Sequence, residues 1–239
     1  MSISVVIPAY NAGRHIESVL SRVAALEGCE LAHVVVVNDG SRDDTVRKVR
    51  GAGFTRCELT LIDRPKNGGY GAAMKDGLEA ARQGNPELVA CVHADGQYSP
   101  EALPSLCRAL RARGLDLLQG SRIASGTALS GGMPLYKYAA NAALNVIENR
   151  TLQLSMTDYH SGYLVYGRRA LALPFRKFSD SFDFDLELIA CARARGLAVG
   201  EAPIPTHYGD EVSHLSPITY GLRVLRVMWN YRRGRYAAT

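Results

Sequence analysis

Three side chains that carry lone pairs follow one apolar run on alternate residues. The run LVACV ends at residue 92 and is followed, within the segment HADGQYSP, by His93, Asp95 and Gln97. In an extended segment alternate side chains point to the same side, so these imidazole, carboxylate and amide groups could bind one cation. The same segment also fits a loop that leads into a helix, with Ser99 as the N-cap and Pro100 at the first helical position. The segment alone leaves both interpretations open.

Other short apolar runs place this segment in a regular pattern. Runs rich in β-branched residues occupy 3–7, 33–37, 58–62 and 88–92. Between them, apolar residues recur at helical spacing over 14–26, 42–50 and 71–82. This alternation predicts an α/β fold with an open, mostly parallel central sheet and helices on both faces. Ligands of such sheets bind beyond the carboxyl ends of the strands.

Unusual residues cluster at those strand ends. The segments are PAYN after the first strand, NDGS after the second and GSR at the end of a further strand at 115–122. We expect these loops to face one crevice together with the segment that begins at His93. The glycines of NGGYG, residues 67–71, open a helix and would let backbone amides approach a phosphate, although such a cluster is also typical of a plain turn.

The second half of the chain leaves the regular alternation. Helical patterns cover 135–148 and 182–195, and further strands are predicted at 163–166 and 198–205. The segment SFDFDLEL places three carboxylates at the start of a helix, at Asp183, Asp185 and Glu187. On a helix the first and third share one face while Asp185 points elsewhere, so the three cannot have one role. The second half of the chain is therefore where we expect a site for an acceptor substrate.

Composition restricts the class of protein. The chain has 239 residues, of which 47% are hydrophobic, enough for a large core. Its five cysteines are scattered and include no C-x-x-C pair, which argues against a disulfide framework and a structural zinc site and favours a cytoplasmic protein. The net charge of +5 is mild, and we expect no nucleic-acid partner. The first residues are typical of a strand, not of a signal peptide.

The last part of the chain, 213–239, is basic and amphipathic. Its helical pattern places Ile218, Leu222, Leu225, Met228 and Trp229 on one face and three arginines on the opposite stripe. Such a segment is typical of a helix that lies on a membrane surface, where arginines favour anionic lipids. A helix packed on its own domain, or the contact of a homodimer, would give the same pattern.

With PAYN, VNDGSRDDT, ADGQYSP, GSR, SGY and FDFDLEL in this order, the sequence resembles the family 2 glycosyltransferases. Within that family it is most similar to the branch of dolichyl-phosphate mannose synthase and the bacterial polyprenyl-phosphate glycosyltransferases. The resemblance runs from residue 3 to about 210. It implies a GT-A fold, a single Rossmann-like domain over 1–212, with a nucleotide-sugar-binding half at 1–122 and an acceptor half at 123–212.

The resemblance also implies an activity and a set of donor-binding residues. It implies inverting transfer of a hexose from a nucleoside diphosphate sugar, with Mg²⁺ or Mn²⁺ bound by Asp95, beside Gln97. The donor-binding residues it implies are Pro8, Ala9, Tyr10, Asp39, Gly69, His93, Ala94 and Asp95. His93 stands where the branch usually has its first Asp. Because imidazole suits Mn²⁺ better than Mg²⁺, His93 is either a weak metal ligand or a hydrogen-bonding partner of the ribose or of a metal-bound water.

For the acceptor, the resemblance implies a polyprenyl phosphate at the cytoplasmic face of a membrane. It gives phosphate contacts to Arg122, with Lys137 and His207 as further candidates, and gives Asp185 the role of general base. Three alternatives stay open. They are the same chemistry on a soluble hydroxyl acceptor, a non-catalytic subunit that binds nucleotide sugars, and a nucleotidyltransferase, although no basic triphosphate loop follows the first strand.

Overall fold

A computed structural model describes residues 1–126, 133–205 and 217–237. Its seven strands are β1 (Ser2–Ala9), β2 (Glu30–Asp39), β3 (Glu58–Arg64), β4 (Leu88–Cys91), β5 (Leu117–Ser121), β6 (Leu164–Gly167) and β7 (Val199–Pro203). The α-helices within these ranges are α1 (Ile16–Ala24), α2 (Thr45–Gly51), α3 (Tyr70–Gln83), α4 (Leu103–Ala112), α5 (Leu135–Leu152), α6 (Arg168–Leu171), α7 (Phe184–Ala194) and α8 (Pro217–Arg232). Short 3₁₀ turns occupy Pro100–Ala102 and Phe175–Lys177.

All seven strands form one sheet in the order β3-β2-β1-β4-β6-β5-β7. Strands β1 to β4 pair in parallel, and so do β5 and β7, whereas β6 runs antiparallel to both β4 and β5. The predicted mostly parallel sheet is therefore confirmed. The departure from regular alternation has a simple cause, because β5 leaves one position free beside β4 and the later strand β6 fills it from the opposite direction.

Both faces of the sheet are covered, which explains the continuous apolar runs of its strands. In β2, Val34 and Val36 pack with α1 and α4, while Val35 and Val37 pack with α3, α7 and α8. All four valines are fully buried. The side chains thus alternate between two cores with the period of two that a strand imposes.

The structure differs from one sequence-based prediction and confirms another. Pro100 opens a 3₁₀ turn that leads into α4, but the Ser99 hydroxyl does not cap it and instead hydrogen-bonds the Glu101 carboxylate. The C-terminal amphipathic helix is present as α8, and it packs against α5 and α7. Within the described ranges, no helix combines the length and the apolar character that a bilayer crossing requires.

Candidate active site

The loops after β1 and β2 lie side by side and are tied together. Ala9 is the register partner of Asn38, so the two strands end at the same level. The backbone amide of Asn11 donates to Ser41 Oγ at 2.8 Å, and the amide of Arg42 donates to Asn11 Oδ1 at 2.9 Å. Of the residues expected to shape a base pocket here, Ala9 is buried and Tyr10 is 46% exposed.

Asp39 is almost fully buried where β2 ends. Its Oδ1 accepts hydrogen bonds from Arg64 Nη1 at 2.8 Å and from the Gly68 amide at 2.9 Å, and its Oδ2 accepts from the Gly69 amide at 2.8 Å. The carboxylate therefore holds the glycine turn that begins α3. Contact of Asp39 with a nucleotide base or ribose stays a prediction, and it requires this carboxylate to share or exchange these partners.

Gly69 is required by the backbone at that turn. Its φ of +99° lies in the left-handed region, and a Cβ there would lie 2.4 Å from the carbonyl oxygen of Asp180. The turn at the start of α3 is thus pressed against the segment that precedes α7. The two halves of the chain meet at this point.

The segment after β4 turns sharply instead of continuing as an extended strand. Asp95 Oδ1 accepts a hydrogen bond from the Gln97 amide at 3.0 Å, and Gly96 has a φ of +75°. The expected alternation of His93, Asp95 and Gln97 therefore does not hold in this segment. Among the described residues, no three His, Cys, Asp or Glu side chains lie close enough to hold a metal ion by themselves.

Asp95 nevertheless fits a cation that also binds a diphosphate. Its side chain is half-buried, and its second oxygen has no hydrogen-bond partner among the residues described. Mg²⁺ in proteins is bound by one or two carboxylates together with phosphate oxygens and water, so a set of three protein ligands is not needed. The roles of Gln97 and His93 as further ligands stay predictions.

His93 is enclosed by aromatic rings. It stacks on Tyr70 with ring centroids 5.7 Å apart and meets Tyr98 edge-on at 5.2 Å. Its Nε2 is buried without a hydrogen-bond partner among the described residues. Gly162, with a φ of +72°, leaves room for this atom, because a Cβ there would lie 2.6 Å from it. The imidazole therefore faces the side of the crevice that carries Asp185, since the same Cβ would lie 3.4 Å from Asp185 Oδ2.

Asp185 lies in the first turn of α7 and is buried. Its Oδ2 accepts a hydrogen bond from the Tyr70 hydroxyl at 2.7 Å, whereas its Oδ1 is buried without a hydrogen-bond partner in the described part of the chain. Burial raises the pKa of this carboxyl to about 7, and the hydrogen bond from Tyr70 lowers it only in part. A carboxylate of this kind can accept a proton near neutral pH.

The two neighbouring carboxylates have structural contacts instead. Asp183 Oδ1 accepts hydrogen bonds from Ser179 Oγ at 2.8 Å and from Arg223 Nη1 at 2.9 Å. Glu187 accepts from the Ser179 amide and from the hydroxyl of Tyr236. The structure thus separates Asp185 from the other two, as the helical spacing predicts.

Arg122 is held by a buried carboxylate. Its Nε and Nη2 donate to the two oxygens of Asp158 at 2.6 and 2.9 Å, and its Nη1 lies 3.4 Å from the Tyr98 hydroxyl. Burial alone would raise the pKa of Asp158, but the Arg122 guanidinium outweighs it and holds that pKa below its usual value. Contact of Arg122 with an acceptor phosphate stays a prediction. The side chain of Lys137, in the first turn of α5, and the whole of His207 lie outside the described residues.

Replacing Asp158 with alanine is expected to lower the free energy of unfolding by about 3–5 kcal/mol, because it removes the fully buried carboxylate that neutralises Arg122, whose side chain is only 12% exposed. Urea denaturation at neutral pH measures this change. Glu87→Ala is the matched control, since its partner Arg111 is 56% exposed and such pairs contribute at most about 1 kcal/mol. A loss below about 1 kcal/mol in Asp158→Ala would contradict the buried pair.

Several site residues were not found by sequence reasoning. Tyr70 belongs to the glycine-rich segment NGGYG, but nothing in the sequence linked it to the carboxylate of Asp185, 115 residues later. Asp158 and Gly162 lie in the segment TDYHSGY. Gly162 was a usable signal, because glycine often occurs where another group lies close to the backbone. Tyr98 follows Gln97 directly, and its contacts depend on a turn that the sequence pattern did not predict.

Comparisons with known proteins agree with this architecture. Residues 4–173 match the family model described as "Glycosyl transferase family 2". The low-salt glycan biosynthesis hexosyltransferase Agl6 of Haloferax volcanii is 31% identical over 95% of this chain, which spans about half of that protein (53%). Polyprenol monophosphomannose synthase of Mycolicibacterium smegmatis is 31% identical over 84% of this chain and 75% of its own.

A solved structure shows the same fold at lower identity. Glucosyl-3-phosphoglycerate synthase of Mycobacterium tuberculosis superposes with a TM-score of 0.69 and 21% identity, over 96% of this chain and 80% of its own. This confirms the GT-A fold that the sequence motifs predicted. Given the family model and the two relatives, the chain belongs to glycosyl transferase family 2 and is a nucleotide-sugar-dependent glycosyltransferase.

Proposed function

We propose that the protein is a metal-dependent inverting glycosyltransferase that moves a hexose from a nucleoside diphosphate sugar to a polyprenyl phosphate. One observation supports it most. Asp95 and Asp185 each keep one oxygen without a partner among the described residues. Asp95 follows the end of β4 at Cys91, and the Tyr70 hydroxyl that donates to Asp185 lies 3.8 Å from the Cys91 thiol. Burial raises the pKa of the Cys91 thiol, and the charges of Asp185 and Asp95 raise it further. Both carboxylates with an uncommitted oxygen therefore lie towards the carboxyl end of β4, the edge at which ligands of such sheets bind.

On the donor side, Asp95 would hold the divalent cation through its second oxygen, with Gln97 and His93 as the predicted neighbours. A bound Mg²⁺ or Mn²⁺ neutralises the charge of a departing nucleoside diphosphate. Solved complexes of glucosyl-3-phosphoglycerate synthase contain UDP with Mn²⁺ or with Mg²⁺. The amides of Gly68 and Gly69 already bind the carboxylate of Asp39, so this turn is suited to anionic groups.

Inversion follows from a single displacement at the anomeric carbon. An acceptor oxygen forms the new bond to that carbon while the bond to the diphosphate oxygen breaks and leaves with its electron pair. If the attacking group still carries a proton, Asp185 accepts it through Oδ1. Its pKa of about 7 places the ionised form within the working range of pH.

The lipid acceptor is supported by relatives and by the surface of α8. One relative is named as a polyprenol monophosphomannose synthase and another as a dolichol-phosphate mannosyltransferase. Leu222, Leu225 and Trp229 are exposed at 64%, 45% and 57% along one side of α8. The described residues of this C-terminal part, 217–237, include five arginines and no carboxylate side chain. Such a helix fits the anionic cytoplasmic surface of a membrane.

A soluble hydroxyl acceptor is the second candidate, and Asp185 is the observation that favours it. A phosphate oxygen is already ionised at neutral pH and needs no base, whereas a hydroxyl group does. A buried carboxylate with a pKa of about 7 is more useful for a hydroxyl acceptor.

A transfer assay with radiolabelled sugars separates the two candidates. The protein is incubated with Mn²⁺, UDP-, GDP- or dTDP-hexoses, and either polyprenyl phosphate in mixed micelles or water-soluble glycans. We expect label to enter the organic-extractable lipid and a nucleoside diphosphate to be released. Transfer only to water-soluble acceptors would reject the lipid, release of pyrophosphate would indicate a nucleotidyltransferase, and an absence of transfer from every donor would contradict the proposed function.

A further inference from the structure

We propose that the hydroxyl of Tyr70 is a positioning group for Asp185, which fixes one carboxylate oxygen so that the other faces the acceptor. The inference rests on the proposed function, because it takes Asp185 as the base. Tyr70 is a positioning residue and not a catalytic one, since its contact is with the carboxylate and not with substrate.

The backbone fixes where Tyr70 begins. It is the first residue of α3, and the glycines on both sides of it are pressed against the segment before α7. A Cβ at Gly71 would lie 2.3 Å from the carbonyl oxygen of Ser179, and the amide of Ala72 donates to the carbonyl of Asp180 at 3.3 Å. The start of α3 is therefore held at a fixed distance from the start of α7, which carries Asp185.

The ring of Tyr70 is fixed as well. It stacks on His93, with centroids 5.7 Å apart and planes at 15°, and on Phe182, with centroids 5.8 Å apart and planes at 10°. The ring cannot swing away without breaking these two stacking contacts. Its hydroxyl is thereby directed at Asp185 by the same rings that line the crevice.

The hydrogen bond has a definite direction. Burial raises the pKa of Tyr70 well above that of an ordinary phenol, and the charge of Asp185 raises it further. The phenol is therefore neutral throughout the physiological range and donates to Asp185 Oδ2 at 2.7 Å. With Oδ2 occupied, the uncommitted lone pairs of the carboxylate are those of Oδ1.

Four other titratable groups face Asp185 from the surrounding elements. They are Cys91 at the end of β4, His93 after β4, Tyr166 in β6 and Tyr220 in α8. Among the described residues, none of these donates a hydrogen bond to the carboxylate, whereas Tyr70 does. Loss of the Tyr70 hydroxyl would leave the ionised carboxylate buried with no donor, so its pKa would rise.

Tyr70→Phe tests this, because it keeps the stacked ring and removes only the hydroxyl. The ionised form of Asp185 is the active base for a hydroxyl acceptor, so with such an acceptor the acid limb of the pH profile of kcat/KM reports its pKa in the free enzyme. We expect the limb to move to higher pH by about one unit, which lowers kcat/KM about tenfold below the limb. Above both pKa values the variant should approach the wild-type value, within about twofold.

Tyr166→Phe is the matched control. The Tyr166 hydroxyl is also buried near Asp185 but has no hydrogen-bond partner among the described residues. Its removal is expected to leave the acid limb in place. Ionisation of a phosphate acceptor is identical in all variants and cannot produce a difference between them. Melting temperatures within a few degrees of wild type would show that both variants fold.

A second readout does not require turnover. Carboxyl carbons labelled with ¹³C in aspartate report the titration of Asp185 by NMR, with the signal assigned by its absence in Asp185→Asn. We expect this titration to move to higher pH in Tyr70→Phe and to stay in place in Tyr166→Phe. A uniform loss of activity at every pH, with an unmoved titration, would overturn the inference and leave Tyr70 a structural role.

The failure of this inference can be distinguished from a failure of the proposed function. If Asp185→Asn keeps full activity, Asp185 is not the base and the premise of this inference fails, whereas transfer to a phosphate acceptor, which needs no base, still stands. If Asp185→Asn is inactive but the acid limb does not move in Tyr70→Phe, only the role of Tyr70 is overturned.

Discussion

Asp95→Asn is expected to lower kcat by about 10³-fold, because a neutral amide cannot hold a divalent cation against a diphosphate as a carboxylate does. The free energy of unfolding should change by no more than about 0.5 kcal/mol. The substitution is conservative for the fold, since the oxygen of an asparagine can still accept the hydrogen bond from the Gln97 amide. Steady-state rates at saturating Mn²⁺ and donor, together with urea denaturation, measure both quantities.

The control for Asp95→Asn is the same substitution at a carboxylate remote from the crevice. Asp116 directly precedes β5 at its amino end, opposite to the carboxyl ends of the strands, and its Oδ2 accepts the amide of Ala198 as Asp95 Oδ1 accepts that of Gln97. Asp116→Asn should keep wild-type turnover. If Asp95→Asn retains more than about one tenth of the activity, the cation is not bound through this side chain.

Asp185→Asn is expected to have two opposite effects. It should reduce kcat/KM by about 10²- to 10³-fold on an acceptor that must lose a proton, which is the usual contribution of a positioned base. It should also increase the free energy of unfolding at pH 8 by on the order of 2 kcal/mol. If ionised Asp185 lowers the stability of the fold and is needed for turnover, its role is catalytic and not structural.

The stability change follows from the pKa of Asp185. Burial raises that pKa from 3.8 to about 7, so the folded state binds this proton more tightly than the unfolded state. The folded protein therefore has its full stability from this group below about pH 4 and loses it progressively as the pH rises towards 7. The stability advantage of Asp185→Asn should accordingly be small at pH 4 and largest at pH 8. An asparagine amide without an acceptor at the position of Oδ1 offsets part of the gain.

Asp183→Asn provides the contrast on the same helix. Asp183 is also buried, but it is paired with Arg223 and Ser179, so its loss should destabilise the protein while leaving the pH profile of kcat/KM in place. Unfolding curves from pH 4 to 8 distinguish the two. If Asp185→Asn is less stable than wild type at every pH, the carboxylate is not held at a raised pKa.

The sheet could be predicted because its strands are buried on both faces. The four consecutive valines of HVVVV show no polar alternation that would signal a solvent face, and the helices between the strands have clear apolar spacing. The positions of PAYN, NDGS and HADG at the strand ends followed from this topology without knowledge of any contact. The position of β6 did not follow, because a four-residue antiparallel strand inserted between two earlier ones leaves no periodic signal.

The details of the site depend on contacts that sequence spacing does not encode. Gly96 allows the backbone to adopt a positive φ, so the segment forms a turn where an extended row of three ligands was expected. In this turn one oxygen of Asp95 accepts the hydrogen bond of the Gln97 amide. Arg122 was expected to meet a phosphate, but its partner Asp158 lies 36 residues later and could not be assigned from a pattern. The separation of Asp185 from Asp183 and Glu187 could be predicted, because helix geometry alone places it on another face.

The central claim is that a divalent cation at Asp95 joins the protein to the nucleoside diphosphate. Thermal unfolding of wild type and Asp95→Asn, each with UDP, GDP or dTDP and with Mn²⁺ or EDTA, tests it most directly. For one nucleotide at about 100 times its Kd, we predict a rise in the wild-type melting temperature of about 5–10 °C with Mn²⁺ and a much smaller one with EDTA or in Asp95→Asn. An equal rise in both proteins, or with EDTA, would contradict it.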